Sequence, residues 1–165
     1  MLLQPGLLGI AWGAAIRQLA AGLGIEIEKI TESYEREPAP EAFDIAAGHI
    51  PKGSVAALQF EIHGISDGRP AIVIEHVTRL REDLRPDWAQ PAQPGGSYRV
   101  EITGEPSYAV DICPTSRKGD HNHAAIVAAA ARIVNAIPDV VAAPPGIKTT
   151  LDMPLVTGKG LYTPK

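Results

Sequence analysis

The sequence predicts an α+β domain, and three observations predict it. Apolar residues recur at helical spacing near each end of the chain. Between those ends, several runs alternate apolar and polar residues with a period of two. Turn-forming pairs such as Asp67-Gly68 and Gly104-Glu105-Pro106 separate the alternating runs. Strand runs grouped between two helices give an open, mostly antiparallel sheet of four to six strands, covered by an N-terminal and a late C-terminal helix.

The first helix opens near Pro5, a residue suited to a first turn because its missing N–H costs nothing there. Leu7, Leu8, Ala11, Trp12, Ala15, Ile16, Leu19 and Leu23 follow at three- and four-residue spacing, and Gly22 and Gly24 stop the helix. A strand is expected from Ile30 to Glu35, with Ile30, Glu32 and Tyr34 on one side, and Pro38 and Pro40 end it. Ala42 to Ala47 reads as a short helix or turn.

Ala56, Leu58, Phe60 and Ile62 then alternate with Gln59, Glu61 and His63. Ser66-Asp67-Gly68-Arg69 turns the chain into a second run from Ala71 to Arg81, which puts Ile72, Ile74, His76, Thr78 and Leu80 on one face. Two such runs joined by Asp-Gly read as a hairpin. The loop from Arg85 to Gly96 holds Trp88, expected to pack down on something. Tyr98, Val100 and Ile102 form a strand whose partner is Tyr108, Val110 and Ile112. The late helix runs from about Ala124 to Ile137, with Ile126, Val127, Ala130, Ile133, Val134 and Ile137 on one stripe, and Pro138 stops it. No internal repeat stands out.

The totals bound the function. At 165 residues, with 45% hydrophobic and 21% charged, the chain fits one globular domain able to bury its own core. The net charge is −4 and no basic cluster exceeds a pair, which argues against nucleic-acid binding. Cys113 is the single cysteine, so there is no disulfide framework; with no neighbouring base it is read as inert, and a reducing cytoplasm fits. Residues 1–23 lack the basic start of a secretory signal, since the first positive charge is Arg17. Arg17 and Gln18 also interrupt the apolar run, so no membrane partner is expected there.

Neither a G-x-G-x-x-G after a strand nor a phosphate-binding lysine loop is present, and there is no nucleophile elbow or zincin helix. The richest polar stretch is Gly119-Asp120-His121-Asn122-His123, at the start of the late helix. Three readings stay open for it. Asp120 or Asn122 caps the helix with the histidines in solvent. Alternatively, the histidines hold a metal, although two residues apart on a helix they diverge. As a third possibility, the free N–H groups and helix dipole receive a carboxylate or carbonyl oxygen. His76 reads either as a rim residue or as a contact, and Tyr34 either lines a pocket or packs on the sheet.

Taken in order, one set of segments carries a resemblance. It comprises Pro5-Gly6-Leu7-Leu8 into Ala11-Trp12-Gly13, Tyr34-Glu35-Arg36 with Pro38-Ala39-Pro40, Pro70 to Arg79, and Pro86-Asp87-Trp88. Tyr98 to Pro106, Gly119-Asp120-His121-Asn122, and Ala142 to Ile147 through Leu151-Asp152-Met153-Pro154-Leu155-Val156-Thr157-Gly158 complete it. The set resembles the carboxy-terminal half of dihydrodipicolinate-reductase-like proteins, related to 2,4-diaminopentanoate dehydrogenase and the NAD(P)-dependent amine dehydrogenases.

The resemblance implies the substrate-binding and oligomerisation domain of a two-part oxidoreductase acting on an amine or imine. Its NAD(P) is bound by a Rossmann half, in cis or in trans, that is absent from this sequence. The chain is then a fragment, a split gene product or a single domain, with no cofactor or metal of its own and no catalytic residue assigned. Tyr34, His76, Asp120, His121 and Asn122 become the candidate contacts to an amine or amino-acid-like substrate, and the expected assembly is a cytoplasmic homodimer. The alternative is a non-catalytic ligand-binding or dimerisation module. A hydrolase or isomerase built on Asp120 and His121 is the remote third.

Overall fold

The structure, a computed structural model, describes residues 6–158. Pro5, expected in the first helical turn, lies outside them. The class is the expected one: two helices, one early and one late, and antiparallel strands between them. The chain divides into two compact units, residues 1–89 and 90–165.

In the first unit, α1 spans Leu7–Leu23. Gly24 closes it in the left-handed conformation, φ 68°, and the Ile25 N–H reaches back to the Ala20 carbonyl at 2.9 Å. The buried line of α1 is Leu8, Gly13, Ile16 and Ala20. Ala11, Ala15, Leu19 and Leu23, expected on the core stripe, are exposed instead. An i, i+4 row winds slowly around the helix, and here the Leu8–Ile16–Ala20 row is the one that meets the sheet.

That sheet has three strands in the order β1-β4-β5: β1 is Lys29–Pro38, β4 is Val55–Ser66 and β5 is Arg69–Arg79. The expected alternation on β1 holds, with Ile30, Glu32 and Tyr34 inward. Asp67 and Gly68 both take positive φ, 50° and 71°, as a tight two-residue hairpin turn requires. Pairing aligns Ile30, Gly64 and Ile72, then Glu32, Ile62 and Ile74, then Tyr34, Phe60 and His76. Leu8, Ile16 and Ala20 pack on this face against Phe60, Ile62 and Ile72. Each fully buried isoleucine there contributes roughly 1.5–3 kcal/mol. Gly64 is needed for the close approach: a Cβ on it would lie 2.5 Å from the Ile16 Cγ2.

Residues 42–47, expected to be a short helix or turn, form strand β2 (Phe43–Ile45), which pairs with β3 (Gly48–Ile50). Phe43 and Ile50 are drawn outward by a second core of Ala39, Ala56, Ala57, Leu84 and Trp88, and a strand hairpin places both on it. Arg79 ties the following loop down: it donates to the carbonyls of Leu84 (2.8 Å), Arg85 (3.1 Å) and Ala89 (3.0 Å). Trp88 is buried as expected, with the Arg85 guanidinium 4.3 Å from its ring centre.

In the second unit, β6 (Tyr98–Ile102) and β7 (Tyr108–Ile112) pair as a two-stranded ribbon. Among the described residues, the seven strands thus form three separate sheets, not the single sheet expected. Helix α2 spans His121–Ala142, starting earlier than expected and passing through Pro138 rather than stopping there. A proline removes one N–H, and the turns on either side keep theirs. The apolar stripe of α2 exists but is exposed: Ala124 is its one buried residue. By length and composition alone, α2 could cross a bilayer, although it carries Arg132 and Asp139.

Candidate functional site

The polar stretch before α2 folds as a helix cap. Asp120 is the N-cap with extended backbone, and its carboxylate accepts the His123 N–H at 3.0 Å. That backbone donor, ahead of weaker contacts from Asn122, holds the Asp120 carboxyl below the ordinary aspartate range. It stays ionised through neutral pH and keeps lone pairs free for a second donor. Asn122 is exposed.

The two histidines diverge, as helix geometry demands. The Ser116 hydroxyl lies 3.0 Å from His123 Nδ1 and also accepts the Lys118 N–H at 3.1 Å. Gly119 permits this packing, because a Cβ there would sit 2.7 Å from the His123 Cβ.

His121 lies against Gly96, where a Cβ would fall 2.6 Å from His121 Nε2. Gly96 has φ 143°, a value that favours glycine. The Tyr98 ring stands 6.0 Å from the His121 ring, tilted by 43°. His121 Nδ1 is buried and has no hydrogen-bond partner among the described residues. An unpaired buried polar atom is costly, and this one lies in the wall behind the cleft. Gln93 braces the wall, donating to the carbonyls of Gly96 (2.8 Å) and Pro114 (3.0 Å). The result is an open cleft of about 340 Å³ lined by Gln93, Pro114, Ser116, Asp120 and His121, among others.

Tyr34 and His76 belong to the first unit. Pairing brings them onto one row, on either side of Phe60. His76 stacks on Phe60 at 4.8 Å, and Trp12 meets Phe60 edge-on at 5.1 Å. His76 Nε2 lies 2.6 Å from the Thr78 hydroxyl. Desolvation pushes the His76 imidazole below the ordinary histidine value, so the neutral ring is favoured. Tyr34 has the Arg36 guanidinium 5.6 Å from its ring centre. The five candidate residues thus form two clusters: an aromatic row of Tyr34 and His76, and a polar helix end of Asp120, His121 and Asn122.

Sequence reasoning missed Gly96, Gln93 and Ser116. The Gly95-Gly96 pair was the available signal, since paired glycines mark a close approach. It also missed Glu32, whose carboxylate accepts the Gly6 N–H and, at 2.8 Å, the Gly9 N–H. The signal was the lack of any capping side chain at the start of α1. Among the described residues, no three histidine, cysteine or carboxylate side chains converge as a metal site would need.

Comparison with known proteins fits this geometry into a family. The 2,4-diaminopentanoate dehydrogenase C-terminal domain model matches residues 6–160. An amine dehydrogenase of Streptomyces virginiae is 37% identical over 157 residues, covering 94% of this chain. The chain spans 44% of that relative's length. The solved structure of an amine dehydrogenase from Mycobacterium smegmatis superposes with a TM-score of 0.59 at 23% identity, over 88% of this chain and 39% of that one, and so shares the fold. The chain belongs to the family of 2,4-diaminopentanoate dehydrogenase C-terminal domains, a domain of an oxidoreductase.

Proposed function

We propose that this chain is the substrate-positioning and assembly half of an NAD(P)-dependent amine dehydrogenase. The observation that carries the reading is the extent of the family match: residues 6–160 fit a C-terminal domain, and the chain spans 44% of an amine dehydrogenase. Helix electrostatics support leaving the dinucleotide to a separate half. Each helix amino end, where a pyrophosphate would bind, already receives a carboxylate: Glu32 at α1 and Asp120 at α2. This supports leaving the dinucleotide, and the redox step with it, to another half of the enzyme.

What this chain supplies is binding and orientation. Asp120 holds a negative charge beside a cleft, suited to an ammonium group. His121 lines the same cleft, and in the first unit His76 and Tyr34 present a separate aromatic surface. The exposed Ile126, Ile133, Ile137 and Val141 of α2 would seat the dinucleotide-binding half.

Co-expression with the amino-terminal half of the Streptomyces virginiae relative tests this. Amine-dependent reduction of NAD(P)+ should appear only with both halves, and Asp120→Asn and His121→Ala should raise KM for the amine more than they lower kcat. Tight, saturable quenching or enhancement of NADPH fluorescence by this chain alone would overturn the reading.

A further inference from the structure

The ring of His121 is backed by main chain. Gly96 faces the far edge of the imidazole: a Cβ there would lie 2.6 Å from Nε2, 2.8 Å from Cδ2 and 3.2 Å from Cε1. Nearer the helix, a Cβ on Gly95 would come within 3.8 Å of the His121 Cβ. Both glycines take positive φ, 84° and 143°, so the chain passes along the ring in a conformation that other residues resist. Gln93 fixes this path. Its side-chain amide donates to the Gly96 and Pro114 carbonyls, which ties the loop before β6 to the segment after β7.

The cleft lies on the other side of the ring. Its walls include His121, Asp120, Ser116 and Gln93 but neither Gly96 nor Tyr98. Both therefore stand behind the imidazole, Tyr98 with its ring centre 6.0 Å away, and Nδ1 is buried there too. Thickening this backing moves the ring toward the cleft, and thinning it lets the ring recede.

We propose that Gly96 sets the size of amine that the cleft accepts, by letting the His121 ring stand back from it. This rests on the reading above of the cleft as the amine site. At about 340 Å³ the cleft is at the small end of ligand pockets, so it suits a compact primary amine. In a site of that size, one methyl group more or less changes selectivity by roughly 10-fold or more. A methyl group on residue 96 is such a change. Ordinary carbon contacts of about 3.5–4.0 Å would require the imidazole to move about 1 Å, and the open side is the cleft. Gly96 acts through His121, and so is a positioning residue.

Turnover of a series of primary amines, from ethylamine to cyclohexylamine, tests the proposal in the enzyme reassembled with the relative's amino-terminal half. Gly96→Ala should lower kcat/KM for cyclohexylamine by roughly 10-fold or more relative to ethylamine. Tyr98→Ala, which adds no backbone strain, should shift the profile the opposite way, and it decides alone should Gly96→Ala fail to fold. In a His121→Ser background, Gly96→Ala should leave the profile unchanged, because no ring is there to push. A second measurement needs no turnover. Diethyl pyrocarbonate, which acylates accessible neutral imidazoles, should label His121 several-fold faster in Gly96→Ala than in the wild type, with exposed His49 as the reference. The same shift in the His121→Ser background, or unchanged His121 labelling in folded Gly96→Ala, would overturn the proposal. Wild-type turnover with a size profile insensitive to both residue 96 and residue 98 sinks this inference alone. No amine turnover by the wild-type pair sinks it together with the reading of the cleft.

Discussion

The Glu32 carboxylate accepts the Gly9 N–H at 2.8 Å, so a strand residue caps the helix that crosses it. Gly6, the N-cap of α1, has no side chain to do this work, and the second carboxylate oxygen takes the Gly6 N–H. One residue therefore both satisfies orphan donors and fixes where α1 lands on the sheet. Glu32→Ala should cost roughly 1–2 kcal/mol in urea unfolding, and Glu32→Gln should cost less because it keeps an acceptor. Equal losses for the two variants would show that charge, not hydrogen bonding, carries the cap.

Gly64 and Ile16 set the helix–sheet distance. A methyl group on Gly64 would press into the Ile16 Cγ2 at 2.5 Å and the Ile27 Cδ1 at 3.1 Å. Gly64→Ala should destabilise by about 1–3 kcal/mol through overpacking. Ile16→Ala alone should cost about 2–5 kcal/mol. The double variant should lose less than the sum by on the order of 1 kcal/mol, since each change relieves the other. Strict additivity would mean that α1 shifts away as a rigid body.

His76, stacked on Phe60 with its ring still open to solvent, adds a small acid sensitivity to stability. Burial lowers its folded-state value below the ordinary 6.5, so the unfolded chain binds the proton more readily. The neutral-ring contribution is complete above about 6.5 and is lost as pH falls through that value toward the lower folded one. The melting temperature should drop between neutrality and mild acid, and His76→Gln should flatten that drop. An unchanged slope in the variant would assign it to another group.

Asp120 acts in a lower range. Its folded value lies below the ordinary carboxyl value, so its contribution is present above about 4 and is lost as pH falls through the folded value. Asp120→Ala should lower the melting temperature by a few degrees at neutral pH and converge on the wild type in strong acid. An unaltered melting temperature at neutrality would remove the capping role.

Arg79 holds three carbonyls of the loop that closes over Trp88. Lysine keeps the charge but not the planar fork, so Arg79→Lys should loosen this loop. In a Trp12→Phe background, the emission of Trp88 should shift to longer wavelength. A spectrum unmoved by Arg79→Lys would mean that the core of Ala39, Ala56, Ala57 and Leu84 holds the ring alone.

What the sequence by itself determined is local. The Asp67-Gly68 hairpin, the Gly24 stop, the alternation on β4 and β5 and the cap at Asp120 follow from backbone preferences and side-chain periods. Those depend only on neighbours within a few residues. The family, too, was legible, because it is carried by residue order. The tertiary structure decided the rest. It chose which row of α1 is buried, since a helix with apolar residues on several sides is oriented by what it meets. Strand residues 43–45 took the place of a helix or turn because a distant core needed Phe43 and Ile50. Glu32 became the cap of α1 from 23 residues away. Only pairing set Tyr98, Val100 and Ile102 opposite Ile112, Val110 and Tyr108, on one face of a ribbon. Such effects arise from contacts between residues far apart in sequence, and no local period encodes them.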